Sequence, residues 1–128
     1  MGSGYSPKKE SGVSILAVDN AVMFLNTIKR LLADTEYVVH CATSGEDALT
    51  FLKFNQPKVI LLDIEMPDMD GYELARKIKQ SGNNAPILFI TANSDSAYAD
   101  MAADMGAAGL LVKPLRVNQL LAKLKEFS

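Results

Sequence analysis

The sequence predicts an α/β domain built on one parallel sheet of five strands, with five helices as the connections. Three observations carry that prediction. Short apolar runs rich in β-forming residues alternate with longer stretches of helical spacing, as a strand–helix–strand chain requires. The runs are continuously apolar, which marks strands covered on both faces. Polar side chains follow several of the runs at their carboxyl ends, where open parallel sheets bind ligands.

Residues 14–18 form the first run, and Leu25, Ile28 and Leu32 then recur at helical spacing. Residues 37–41 form the second strand. Ser44, answered by Asp47 three positions on, reads as the N-cap of the helix after it. Residues 58–62 form the third strand, and Asp70 with Glu73 repeats the capping pattern ahead of Leu74, Ala75 and Ile78. Residues 86–90 form the fourth strand. The Ala-rich segment 97–108 that follows offers few bulky groups for packing, which suits a mobile element. Residues 109–112 form the fifth strand, and Val117, Leu120, Leu121, Leu124 and Phe127 share one stripe of a last helix. The repeated order implies right-handed crossovers, and no internal repeat interrupts it. Residues 1–12 are set aside. Met1 to Gly4 reads as a cloning remnant, and the polar stretch to Gly12 has no periodicity, so a flexible lead-in is expected before a domain spanning 13–128.

Composition narrows the function. With 128 residues, 48% of them apolar, the chain has material for one core and no room for a second domain. The formal charge is −2 and the Lys and Arg residues are scattered, so no footprint for direct nucleic-acid binding is expected. The single cysteine, Cys41, excludes an intrachain disulfide, and neither a membrane-length apolar span nor a signal-peptide pattern occurs. A soluble cytoplasmic protein with no membrane partner is the expectation.

The chemistry lies at the strand ends. The run Val59-Ile60-Leu61-Leu62 stops abruptly at Asp63, while Asp19 and Asn20 close the first strand, Thr91 the fourth and Lys113 the fifth. A parallel sheet brings all of these to one edge. Crowded carboxylates raise one another's pKa unless a cation or a lysine neutralises them. Oxygen ligands without a nearby histidine favour Mg²⁺ over zinc. A metal, a carboxylate nucleophile, a hydroxyl and a lysine together suit phosphoryl transfer, which is mostly positioning and charge neutralisation. Taken singly, Asp63 is a helix cap or loop acid, Asp19-Asn20 a turn, Lys113 a solvated charge and Thr91 a strand-end hydroxyl. The combination is what carries meaning. Asp68-Met69-Asp70-Gly71 is no calcium loop, because Gly71 at the sixth position puts Met66 at the first, where a carboxylate is required. His40 and Cys41 have no partners at ligand spacing and are read as structural, while Met66, Met69, Met101 and Met105 are read as packing or contact residues.

In the pieces Ile15-Leu16-Ala17-Val18-Asp19-Asn20, Leu62-Asp63-Ile64-Glu65-Met66-Pro67-Asp68-Met69-Asp70-Gly71, Ile90-Thr91-Ala92 and Val112-Lys113-Pro114, the chain resembles the response-regulator receiver domain of two-component signalling. The resemblance runs from Val13 to Phe127 and is closest in style to the chemotaxis regulators. It implies a flavodoxin-like, doubly wound sheet in the order 2-1-3-4-5, the order general to such receivers. It further implies that Asp63 is the phosphoacceptor for a sensor histidine kinase or phosphotransfer protein. Mg²⁺ would be held by Asp19, Asp63 and the backbone carbonyl of Glu65, with Asn20 beside them. Lys113, Thr91 and Ala92 would meet the phosphoryl oxygens, and Lys113-Pro114 would be a cis peptide. The responding surface would be the fourth helix, fifth strand and fifth helix, where a downstream output domain or protein, or a second copy in a homodimer, would bind.

Two positions depart from the family pattern. Asn20 stands where most receivers carry a second metal-binding acid, and its amide oxygen is a weaker, uncharged ligand for Mg²⁺. Leu110 stands where many receivers carry an aromatic side chain that moves with the threonine on activation. Two other readings stay open at this point. One is a phosphatase of the haloacid dehalogenase type, whose strand-end aspartate and following acid Asp63-Ile64-Glu65 match loosely, although such enzymes need acidic metal ligands after the lysine, and here Glu126 alone follows Lys113. The other is a receiver-like interaction module that has lost its switch, against which Asp63, Thr91 and Lys113 all stand. The residues also leave open whether the domain works alone or within a larger regulator or hybrid kinase.

Overall fold

The computed structural model describes residues 12–67 and 69–127. Along the chain run β1 (Val13–Val18), α1 (Val22–Leu31), β2 (Tyr37–Ala42), α2 (Gly45–Phe54), β3 (Val59–Asp63), α3 (Gly71–Gln80), β4 (Ile87–Thr91), α4 (Ser96–Asp104), β5 (Gly109–Val112) and α5 (Val117–Lys125). The strands form one parallel sheet in the order β2-β1-β3-β4-β5. The expected lead-in at residues 1–11 lies outside the described residues.

Continuous apolar runs make sense once the layers are seen. Leu16, Val18, Ile60, Leu62, Ile87 and Phe89 pack on one face with Ala48 of α2, Leu74 and Ile78 of α3 and Ala102 of α4. The intervening Ile15, Ala17, Val59, Leu61, Leu88 and Ile90 pack on the other face with Leu25 and Ile28 of α1 and Leu120 and Leu124 of α5. Each buried Leu or Ile is worth about 2 kcal/mol over exposure, so both faces contribute to holding the strands. Apolar residues on both faces leave register weakly specified by hydrophobicity, because a one-residue slip exchanges one apolar side chain for another. The polar residues at the strand ends supply the missing constraint, since a slip would draw Asp19 or Asp63 into the core.

The strands differ from the expected spans at their ends. Asp63 and Thr91 are the last residues of β3 and β4 because they have ladder partners, Ile90 and Val112 respectively. Ser44 accepts a hydrogen bond from Asp47 N (3.1 Å) at the start of α2, and Asp70 accepts one from Tyr72 N (2.8 Å) at the start of α3. Asp95, unread in the sequence, caps α4 in the same way through Ala97 N (2.9 Å). In α5 the stripe is buried at Leu120 and Leu124, but Val117, in its first turn, is exposed. His40 packs on the Phe51 ring at 5.1 Å, and Cys41 is exposed on edge strand β2. Met66 is buried and Met101 exposed. The Lys113-Pro114 peptide is cis. Among the described residues no helix is long and apolar enough to cross a membrane.

Gly71 fixes how the loop after β3 returns. Its N–H donates to Ile64 O (2.8 Å), so the first residue of α3 rests directly on the backbone that carries Asp63. A Cβ at this position would lie 2.6 Å from Ile64 Cα and closer still to the Asp63 carbonyl oxygen. Backbone cannot yield as a side chain does. Gly71→Ala is therefore expected to destabilise the fold by about 2 to 3 kcal/mol in chemical denaturation. An unchanged unfolding midpoint would show that α3 can move off the β3 backbone at little cost.

Candidate functional site

Strand pairing assembles the site. Val18 pairs with Leu62, so the next residues, Asp19 and Asp63, reach the sheet rim side by side. Thr91 pairs with Val112 across the β4–β5 ladder, and the following residue, Lys113, donates its backbone N–H to Thr91 O (2.7 Å). Asp19, Asp63 and Thr91 are buried, with 1%, 4% and 0% of their surface accessible.

Each side chain is oriented by specific partners. Asp19 accepts from Ala21 N through Oδ1 (2.8 Å) and from Lys113 Nζ through Oδ2 (2.8 Å). Lys113 also lies over the Phe24 ring, its Nζ 4.1 Å from the centroid, so its ammonium is held between a carboxylate and an aromatic face. Asp63 accepts from Glu65 N through Oδ1 (3.3 Å). The Thr91 hydroxyl donates to Glu65 Oε1 (3.2 Å) and accepts from Asn93 N (3.0 Å). The Tyr98 hydroxyl reaches Glu65 Oε2 at 3.5 Å. Asn20 and Ala92 are exposed at the same rim.

Burial pushes the Asp63 carboxyl up to about 6, and the neighbouring Asp19 carboxylate adds to the rise. Lys113 and the Glu65 backbone N–H pull it back down, and the Glu65 carboxylate raises it slightly. The site thus holds two carboxylates whose ionised forms oppose each other, with one lysine to share.

That donor set fits a hard divalent cation. Its atoms are oxygens, and a cation between Asp19 and Asp63 would offset both the burial and the Asp19 repulsion that raise Asp63. Among the described residues no three His, Cys, Asp or Glu side chains form a metal-holding group. A cation here would complete its shell with the Glu65 backbone carbonyl, the Asn20 amide oxygen and water, the habit of Mg²⁺.

The structure brings together Asp19, Asp63, Thr91 and Lys113, as their strand-end positions predict, and places Asn20, Glu65 and Ala92 around them. It adds Phe24 and Tyr98, which the sequence reading missed. Phe24 falls beside the Leu25, Ile28 and Leu32 stripe and not on it. Tyr98 is the aromatic residue in an Ala-rich helix, a contrast that would have drawn attention to it.

A carboxyl with a raised pKa binds its proton more tightly in the folded chain than in the unfolded one. Asp63 therefore removes stability as pH rises from about 4 through 6. Asp63→Asn is expected to be more stable than the native chain by about 1 to 2 kcal/mol at pH 7.5 without divalent cations, after discounting for screening by water at the rim. The gain should vanish near pH 4. Denaturation at the two pH values checks this, and a gain independent of pH would contradict the assignment.

Comparison with known proteins bears on the family and the fold. The profile of the response regulator receiver domain matches residues 15–125. The response regulator MprA of Mycobacterium sp. (strain KMS) is 34% identical over 113 residues, 88% of this chain and 49% of that protein. The chain spans about half the length of the curated relatives it matches. Among solved structures, the Vibrio cholerae chemotaxis protein CheY4 aligns with a TM-score of 0.84 at 28% identity, covering 91% of this chain and 99% of that one. A CheY-like receiver domain protein from Methanospirillum hungatei JF-1 aligns with a TM-score of 0.81 at 27% identity, covering 90% and 92%.

Proposed function

For this chain, which belongs to the response regulator receiver domain family of two-component systems, we propose that residues 13–128 form a phosphorylatable switch in which Asp63 is the phosphoacceptor. The observation that carries this reading is the convergence of Asp19, Asp63, Thr91 and Lys113 on one sheet rim.

A carboxylate oxygen of Asp63 attacks the phosphorus of a phosphohistidine on a sensor kinase or phosphotransfer protein. The P–N bond breaks, its electron pair stays on the imidazole nitrogen, and an acyl phosphate forms on Asp63. A pKa of about 6 leaves the carboxylate mainly ionised, hence nucleophilic, at neutral pH. Lys113 is held at the rim by Asp19 and Phe24, and its ammonium would pair with the phosphoryl oxygens. Thr91 donates its hydroxyl to one phosphoryl oxygen. Ala92, having no polar side-chain atom, contributes through its backbone. Mg²⁺ bound by Asp19, Asp63 and the Glu65 carbonyl would neutralise charge between the acceptor and the incoming group. Asn20 removes one negative ligand from that set and so weakens the hold on the ion.

The phosphoryl group adds about 1.5 to 2 negative charges at the rim. The surface formed by α4, β5 and α5 reports that change to a downstream domain or protein, or to a second copy of the chain. The domain is not a turnover enzyme, although its own residues assist gain and loss of the phosphoryl group, and it works in the cytoplasm.

Intact mass after rapid quench from acetyl phosphate tests the reading. One phosphoryl adduct is expected on the native chain with Mg²⁺, and none on Asp63→Asn or without Mg²⁺. In the same assay Asn20→Asp should load at lower Mg²⁺ concentration than the native chain. An adduct that persists in Asp63→Asn would overturn the assignment of the acceptor.

A further inference from the structure

Glu65 uses two parts of one residue for different ends. Its backbone carbonyl is proposed above as a metal ligand, whereas its side chain turns toward β4 and α4. There it accepts from the Thr91 hydroxyl at 3.2 Å and from the Tyr98 hydroxyl at 3.5 Å. One carboxylate thus ties the end of β4 to the first turn of α4.

The position matters because α4 is lightly held. Among its described residues Ala102 alone is buried. Tyr98 is half-buried and, with Tyr72, Ala97 and Met101, lines a shallow depression beside the rim. Leu110 packs against the same side of the sheet as a hydrocarbon, so β5 offers no hydroxyl there through which Thr91 could act.

The Thr91 hydroxyl has one proton to donate. It goes to Glu65, whose carboxylate can only accept, while the Thr91 oxygen itself accepts from Asn93 N (3.0 Å). Donation to a phosphoryl oxygen on Asp63 and donation to Glu65 exclude each other.

Resting on the assignment of Asp63 as phosphoacceptor, we infer that Glu65 is a positioning residue: its carboxylate latches Thr91 and Tyr98 together in the unphosphorylated chain and releases both when Asp63 is occupied. Occupancy of Asp63 is thereby passed to α4 through Glu65 and Tyr98. By thermodynamic reciprocity, whatever loosens the latch must also favour occupancy of Asp63.

Beryllofluoride with Mg²⁺ mimics the phosphoryl group on a carboxylate, and its uptake followed by amide NMR tests the latch. Tyr98→Phe is the decisive variant, because it removes one hydroxyl and leaves the charge around Asp63 unchanged. It should lower the half-saturating beryllofluoride concentration about twofold, the scale of one long, exposed hydrogen bond. Its free-state amides across residues 97–101 should lie part of the way toward the bound positions of the native chain. In a Glu65→Ala background, adding Tyr98→Phe should change nothing further, since its partner is gone. Native half-saturation in Tyr98→Phe, or an undiminished effect in the Glu65→Ala background, would overturn the latch while leaving Asp63 as acceptor. Uptake that survives Asp63→Asn, or no uptake by the native chain, would overturn the acceptor assignment and the latch with it.

Discussion

Strand pairing brings two carboxylates, Asp19 and Asp63, to the same level of the sheet rim, where their burial and mutual repulsion set the electrostatics of what surrounds them. The register that pairs Val18 with Leu62 holds them side by side, because a slip of either strand would draw a carboxylate into the apolar core on both faces of the sheet. Lys113 answers the repulsion in part by pairing with Asp19 at 2.8 Å. Asp63 is left with a backbone N–H and a raised pKa. A cation bound there would restore the balance.

The same contrast runs through the whole domain. β3 and β4 are buried along their entire lengths, and these strands carry Asp63 and Thr91. α4 buries a single described residue and meets the rim through the Glu65 carboxylate. The clustered polar side chains thus sit on the firm part of the fold, beside the helix with the fewest buried contacts to lose by moving. Asn20 fits this balance, since a third acid at the rim would deepen the repulsion that Lys113 already shares out.

Much of this arrangement was legible in the residues. Continuous apolar runs announced a sheet covered on both sides, and the polar residues that end those runs, Asp19, Asp63, Thr91 and Lys113, announced the rim. Strand ends were misplaced by a residue because Asp63 and Thr91 belong to their strands through ladder partners on neighbouring chain segments, which local composition does not encode. Partnerships were the least legible. Lys113 meets Asp19 across 94 positions and rests on Phe24, while Glu65 meets Tyr98 across 33. Such contacts depend on where α1 and α4 come to lie on the sheet. The helical stripe of α1 identified its core residues and passed over Phe24, whose value lies in facing the rim.

The central claim is that Asp63 is held in an ionised state its surroundings resist, and that a divalent cation relieves the resistance. The most direct test is a pH titration of the Asp63 side-chain carboxyl carbon by NMR, with and without saturating Mg²⁺. A midpoint of about 6 is expected without Mg²⁺, and a clear fall when the ion is present. A midpoint near the ordinary 3.8 that Mg²⁺ leaves unmoved would contradict it.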